Sequence, residues 1–369
     1  MLQSITIGFI GFGLIGGSIA RALRDANPNC IMVAYNYHDS SNQSLQDARE
    51  DGVLDYVDNN LMTHFSECDI IFLCAPVLEN IKYLSKLKGM IKSTCLITDV
   101  GSVKGTIDLS VKELGLKKNF IGGHPMAGSE RTGYHNSSSY LLENAFYILT
   151  PNEDTPTNLI ELMLQIVTDV HAIPVMLDCK RHDDIVAAIS HVPHIIASSL
   201  VHLVETNDDN SNQMLTLAAG GFKDITRIAS SSPTMWQNIC LTNRKSILKF
   251  LQLYQSSLEQ ITVAIETMDE DALYDYFNSA KNYRNSIPGQ TGGIFDRSFE
   301  IYLDIMDETG AIASIATQLA THSISIKNIG IIHNREFAEG VLRIELYNQT
   351  SYEEGLALLK KQNYTIYER

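Results

Sequence analysis

Residues 4–23 read SITIGFIGFGLIGGSIARAL: a short apolar run, glycines spaced G-x-G-x-x-G, and then a segment with helical periodicity. In a strand-turn-helix setting each glycine has its own reason. Gly11 permits the tight turn, Gly13 lets a pyrophosphate approach the backbone, and Gly16 lets helix and strand pack closely. The helix N-terminus adds a dipole that favours phosphate. A lone G-x-G-x-x-G also describes an ordinary glycine-rich turn, but the strand before it, the helix after it and the next strand, CIMVAYN, all agree, so the segment reads as a dinucleotide site. About twenty residues on, where an Asp or Glu usually holds the adenine ribose, stands Asn36, with Asp39 beyond it. No arginine is placed to pair a 2′-phosphate, since the nearest, Arg49, falls in a later helical segment. NAD is therefore expected, with NADP left open.

Outward from this motif, DIIFLCAP, CLITDVG and AFYILTP continue an alternation of strand-like and helix-like segments. That alternation implies a parallel sheet with helices on both faces. From about Val167 the pattern turns to long helical runs, HDDIVAAISHVPHIIASSLVHLVE and KSILKFLQLYQSSLEQITVAIETMD, with polar TNDDNSNQ (206–213) between helices. NSIPGQTGGIFDRS (285–298) reads as a linker. After it, FEIYLDIM, AIASIATQLATH, ISIKNIGII, GVLRIELYN, SYEEGLALLKKQ and YTIYE spell β-α-β-β-α-β. The expected class is α/β: a Rossmann-type parallel sheet over 1–166, an all-helical domain over 167–290, and a ferredoxin-like domain over 298–369.

A chain of 369 residues, 44% hydrophobic, is too long for one core. Its formal net charge is −15 and it has no run of Lys or Arg, so neither nucleic acid nor an anionic membrane is an expected partner. An anionic ligand would need a few local cations. The six cysteines include no C-x-x-C pair and read as reduced thiols of a cytoplasmic protein. The apolar N-terminus lacks the basic flank of a signal peptide, and no stretch is expected to span a bilayer.

A nicotinamide cofactor implies hydride transfer, which calls for a proton acceptor and anchors for substrate. DVGSVKG offers Asp99, Ser102 and Lys104; GGHPMAGSE (122–130) offers His124, Ser129 and Glu130, with small residues that would let backbone pass close to a ligand. HDDIVAAISHVPH offers His182, Ser190, His191 and His194, and FKDITRIASSSPTMW offers Lys223, Asp224, Arg227 and Trp236. Each has a plainer reading: helix histidines as core polar groups, Arg227 as a solvated cation, Trp236 as core. Ser232 and Pro233 read as a helix start. No metal is expected, because His191 and His194 lack a third ligand at a familiar spacing.

In their order and spacing these motifs closely resemble the prephenate dehydrogenase family of tyrosine biosynthesis, over residues 1 to about 290. The remaining residues resemble an ACT domain, an amino-acid-sensing module. The resemblance implies a Rossmann domain followed by a helical domain that pairs two subunits as a homodimer. It also implies NAD-dependent oxidative decarboxylation of prephenate to 4-hydroxyphenylpyruvate. By the same resemblance His124 accepts a hydrogen bond from the substrate hydroxyl, Ser102 orients His124 and the nicotinamide, and Arg227 binds a substrate carboxylate. Ser129, Glu130, Ser190, His191 and His194 match further substrate positions, and Asp224 supports the site by an ion pair. Gly11, Gly13, Leu14, Ile15, Gly16, Asn36, Ala75 and Pro76 match cofactor contacts. In the ACT-like part, Asp307, Thr309 and Gly310 of the loop DETG, with Asn328, are expected to hold a regulatory amino acid, tyrosine as inhibitor. Arogenate in place of prephenate stays open, as does a non-catalytic dinucleotide sensor, although a sensor needs no base beside the nicotinamide.

Overall fold

The computed structural model describes residues 5–37, 43–58, 64–128, 131–209, 211–287, 299–305, 309–332, 340–362 and 364–367. The chain divides into two compact units, 1–279 and 280–369.

The first unit is built on β1 (Thr6–Ile10), β2 (Ile31–Tyr35), β3 (Tyr56–Val57), β4 (Ile70–Leu73), β5 (Leu96–Asp99), β6 (Phe120–Pro125), β7 (Phe146–Pro151) and β8 (Ile173–Met176), in the sheet order β3-β2-β1-β4-β5-β6-β7-β8. β1 to β6 run parallel; β7 pairs antiparallel with β6, and β8 lies parallel to β7. Inner strands buried on both faces must be apolar throughout, and Ile70–Leu73 are all fully buried. Helices α1 (Leu14–Ala26), α2 (Gln43–Glu50), α3 (Val77–Leu87), α4 (Gly105–Leu114) and α5 (Thr157–Asp169) cover the sheet. Ile19, Leu23, Leu45 and Met163 of α1, α2 and α5 pack into one core layer, and Leu84, Leu87, Ile107 and Val111 of α3 and α4 into the other.

One expectation changes here. The sheet does not end near residue 166, because β8, only four residues long and containing Pro174, extends it to Met176. Such a strand is too short to show periodicity. The GGHP stretch lies in β6, where Gly122–Pro125 pair with β7 while Phe120 and Ile121 pair with β5. Its glycines have little strand propensity, so pairing with β7 holds the extended backbone.

The helical part comprises α6 (Cys179–Val186), α7 (Val192–Asn207), α8 (Gln213–Leu217), α9 (Gly220–Thr226), α10 (Pro233–Thr242), α11 (Arg244–Glu266) and α12 (Glu270–Ser286). A π turn, Ala187–His191, joins α6 to α7. Pro193 follows it and has no N–H to return to the carbonyl four residues earlier, a local reason for the widened turn. The continuous run Cys179–Asn207 is long and apolar enough, by length and composition, to cross a membrane, which corrects the expectation that no stretch is. Its first turns, however, carry the buried polar pair His182 and Asp183. Ser232 occupies the N-cap of α10 ahead of Pro233 but makes no side-chain cap bond.

The second unit holds β9 (Phe299–Ile305), α13 (Ala311–Thr321), β10 (Ile326–Ile332), β11 (Gly340–Leu346), α14 (Gln349–Lys361) and β12 (Ile366–Tyr367), with sheet order β10-β11-β9-β12, all antiparallel. This is the expected β-α-β-β-α-β fold. Alternate residues Ile301, Leu303 and Ile305 pack under Ile315, Leu319 and Leu359 of the two helices.

The pairing of β6 yields a stability test. A Cβ on Gly123 would sit 2.6 Å from the Asp99 carbonyl oxygen, a backbone atom that cannot swing aside. Gly123→Ala should lower unfolding free energy by about 3 kcal/mol, read as a reduced urea midpoint with an unchanged m value.

Candidate active site

The carboxyl ends of β1, β4, β5 and β6 are successive neighbours, and the sequence order reverses between β1 and β4, where ligands of open α/β sheets bind. Gly11 follows β1 at φ +87°, and a Cβ there would meet Ala75 N at 2.7 Å; a Cβ on Gly16 would meet Gly11 O at 2.8 Å. On Gly13, at the N-cap of α1, a Cβ would meet none of the described residues within 4 Å. Open backbone at a helix N-terminus without an acidic residue in its first turn is a cradle suited to a pyrophosphate. Leu14 and Ile15, half-buried, open that helix. Asn36 Oδ1 accepts the Phe12 N–H at 2.6 Å, tying the end of β2 to the glycine loop without a charge. Ala75, whose N–H donates to Asn80 Oδ1 at 3.2 Å, and Pro76, the N-cap of α3, complete the rim. These residues fit a dinucleotide.

Asp99 ends β5 and Lys104 precedes α4; both are fully buried and form an ion pair. Lys104 Nζ also donates to the Gly123 carbonyl at 2.6 Å, while Asp99 accepts the N–H groups of Gly101 at 2.9 Å and Gly123 at 3.3 Å. Neither side chain is exposed to a ligand, contrary to the sequence reading. The same pair explains the small residues of GGHP. A Cβ on Gly122 would collide with Thr150 Oγ1 and approach Lys104 Cδ to 3.1 Å. The glycines make room for a buried lysine and a neighbouring strand.

His124, next along β6, is half-buried. Its Nδ1 lies 2.8 Å from His182 Nε2, and His182 Nδ1 lies 2.9 Å from Asp183 Oδ1. Asp183 also accepts the backbone N–H groups of Lys104 and Gly105, each at 2.8 Å, at the start of α4. His191, in the π turn, is held through Nδ1 by the Asn243 amide at 3.1 Å, and that amide also donates to the Asp183 carbonyl at 2.9 Å. His194 donates from Nδ1 to the Ser190 carbonyl at 2.9 Å and stacks on Trp236, ring centres 3.8 Å apart. Arg227, on a short 3-10 turn after α9, lies near enough to affect His194 electrostatically.

Not every expected residue joins this group. Ser102 sits half-buried in the loop after β5, and among the described residues no hydrogen bond links it to His124. Asp224 is exposed on α9 without an ion-pair partner among the described residues, so the support implied for it is not seen there. Ser129 and Glu130 lie outside the described residues.

Residues 19–176 match the family model described as prephenate dehydrogenase, nucleotide-binding domain, and residues 178–279 that of the prephenate dehydrogenase dimerization domain. A prephenate dehydrogenase of Bacillus subtilis is 37% identical over 341 residues, 92% of this chain and 91% of that protein. One from Lactococcus lactis is 31% identical over 356 residues, 95% of this chain and 96% of the relative. The crystal structure of an A. aeolicus prephenate dehydrogenase with hydroxyphenyl propionate and NAD+ superposes with a TM-score of 0.72 at 29% identity, covering 77% of this chain and 98% of that one. The chain belongs to the prephenate dehydrogenase family. It is thus an NAD-dependent dehydrogenase with a dimerization domain.

Within this family frame, the sequence offers His182 and Trp236 as candidates beside plainer core readings and does not single out Asp183. The dipeptide His182-Asp183 at the start of a long apolar helix was the available signal: two polar residues there need partners. Trp236 Nε1 is buried without a hydrogen-bond partner among the described residues. In the second unit, Gly310 takes φ +93° at the N-cap of α13, Thr309 and Asn328 are exposed, and Asp307 lies outside the described residues. A cavity of about 930 Å³ in that unit is lined by Ala320, Ser323, Ser325, Tyr347, Asn348 and Ser351 among others, near the opposite end of α13 from Gly310.

Burial lowers the pKa of His182, and drives that of His124 well below its ordinary value, with neighbouring His182, Lys104 and His191 acting in the same direction. Burial brings His191 down to about 4. Burial, with Arg227 nearby, also lowers His194. Because these folded values lie below the unfolded value of 6.5, the unfolded chain binds more protons as pH falls below it. Stability is complete above that value and is lost on acidification. The unfolding midpoint should fall from pH 7 to pH 5, and His191→Gln should reduce the slope by up to about 1.4 kcal/mol per pH unit.

Proposed function

We propose that the chain oxidatively decarboxylates prephenate, with His124 as the proton acceptor. The observation that carries this is the half-buried His124 at the carboxyl end of β6, its pKa lowered and its ring joined through His182 to Asp183. When bound, NAD supplies the hydride acceptor, held by Gly11, Gly13, Leu14, Ile15, Gly16, Asn36, Ala75 and Pro76. His124 Nε2 accepts the proton of the ring hydroxyl as its carbon is oxidised. The ring carboxylate leaves as carbon dioxide, its electron pair passes through the ring to the oxygen, and His124 returns the proton to give the phenol. Aromatisation makes the step effectively irreversible.

A substrate dianion on a chain of net charge −15 needs fixed cations, and Arg227 meets that need with a planar, always-charged fork. His191, whose Nδ1 accepts from Asn243, keeps its proton on Nε2 and serves as a neutral donor. Ser190 and His194 bound the substrate side chain, Ser102 contributes from the loop after β5, and Ser129 and Glu130 are further substrate residues. Exposed Leu203, Leu217, Leu253 and Met268 of the helical part support pairing of two copies. The second unit acts as an ACT-type sensor for tyrosine, which inhibits, through Thr309, Gly310 and Asn328 together with Asp307.

Two measurements test this reading. NADH formation at 340 nm with prephenate should fall at least about a thousandfold in His124→Asn while NAD affinity is retained; a variant with near-native turnover would rule out His124 as the base. The same assay with arogenate or NADP separates the substrate and cofactor alternatives. Tyrosine should lower wild-type turnover, and Asn328→Ala should weaken that inhibition without altering turnover in its absence.

A further inference from the structure

The link between His124 and the helical part has a direction, set by which atoms can donate. Asp183 is a carboxylate already holding the two N–H groups at the start of α4, so toward His182 it can only accept. His182 therefore carries its proton on Nδ1. Because burial keeps His182 neutral, its Nε2 is a lone pair, and the 2.8 Å contact requires His124 to donate from Nδ1. A neutral His124 that donates from Nδ1 has a bare Nε2. We infer that His182 and Asp183 are positioning residues that hold His124 in the single tautomer able to accept the substrate's proton. This rests on His124 being the base.

The arrangement follows the logic of a carboxylate orienting a catalytic histidine, with one more imidazole in the chain. That extra ring spans the distance from a strand of the sheet to a helix that packs against it. Asp183 is anchored by backbone on α4, and a Cβ on Gly105 would sit 2.7 Å from its Oδ2, so glycine is required where the carboxylate docks. When His124 takes the proton, its Nδ1–H remains directed at His182, and the new positive charge lies along a path ending at the Asp183 anion.

The test uses the full-length enzyme and begins without a substitution. Nitrogen-15 spectra of histidine-labelled protein at pH 7.5, with the His124 signal identified by its loss in His124→Asn, should show Nδ1 protonated and Nε2 bare. The reverse tautomer would overturn the inference even if His124→Asn is inactive, whereas an active His124→Asn would remove the functional reading instead. His182→Leu, which offers no acceptor, should lower kcat at least a hundredfold with KM for prephenate and Kd for NAD within twofold, and should mix the tautomers of His124. His182→Gln can accept from His124 through its carbonyl and donate to Asp183 through its amide, so it should keep kcat within tenfold and the tautomer unchanged. Equal activity in wild type and the Leu variant, or equal losses in the Leu and Gln variants with an unchanged tautomer, would mean a merely structural role.

Discussion

The ion pair between Lys104 and Asp99 is the constraint around which the first unit is arranged. Two charges without solvent contact are tolerable only when their remaining donors and acceptors are also satisfied. Gly123 supplies a carbonyl to the lysine and an N–H to the aspartate, and Gly101 adds another N–H. The pair thus binds the end of β5, the loop carrying Ser102 and the middle of β6 into one body, with His124 as the next residue out. Removing either partner would strand a buried charge, which typically costs about 3–5 kcal/mol.

Asp183 performs the corresponding task between the sheet and the helical part. Its carboxylate closes the start of α4, its carbonyl receives Asn243 from the junction of α10 and α11, and its neighbour in sequence touches His124. Val192, Ile239 and Ile247 of the helical part share a core with α3 and α4, so apolar packing holds the polar contacts in register. The geometry at His124 consequently belongs to neither part alone.

Much of this was legible from local pattern. The glycine turn, the alternation that follows it and the six elements of the second unit are each written within a few consecutive residues. What could not be read were contacts across long separations. Gly122 and Gly123 look like loop residues until Lys104, far off in sequence, is placed against them; Lys104 and Asp99 look like ligands until both prove buried. The local mark that separates His182 from His191 and His194 is the neighbouring Asp183, and it says that the pair needs partners without saying which. β8 was missed because four residues give no period. Motif resemblance brought His124, His191, His194 and Arg227 together as a set, but it did not indicate which atoms of His124 were already engaged.

The π turn between α6 and α7 amounts to one residue more than a regular helix needs, and each helical residue turns the chain by about 100°. The run Cys179–Asn207 is therefore a single rod cut to two registers. Before the turn it presents His182 and Asp183 to the sheet; after it, His194 to Trp236 on α10. Residue count within this helix is accordingly a functional variable, as tightly constrained as the identity of any side chain on it. Deleting one residue from Ala187–His191 would leave a better helix and dephase its two working faces.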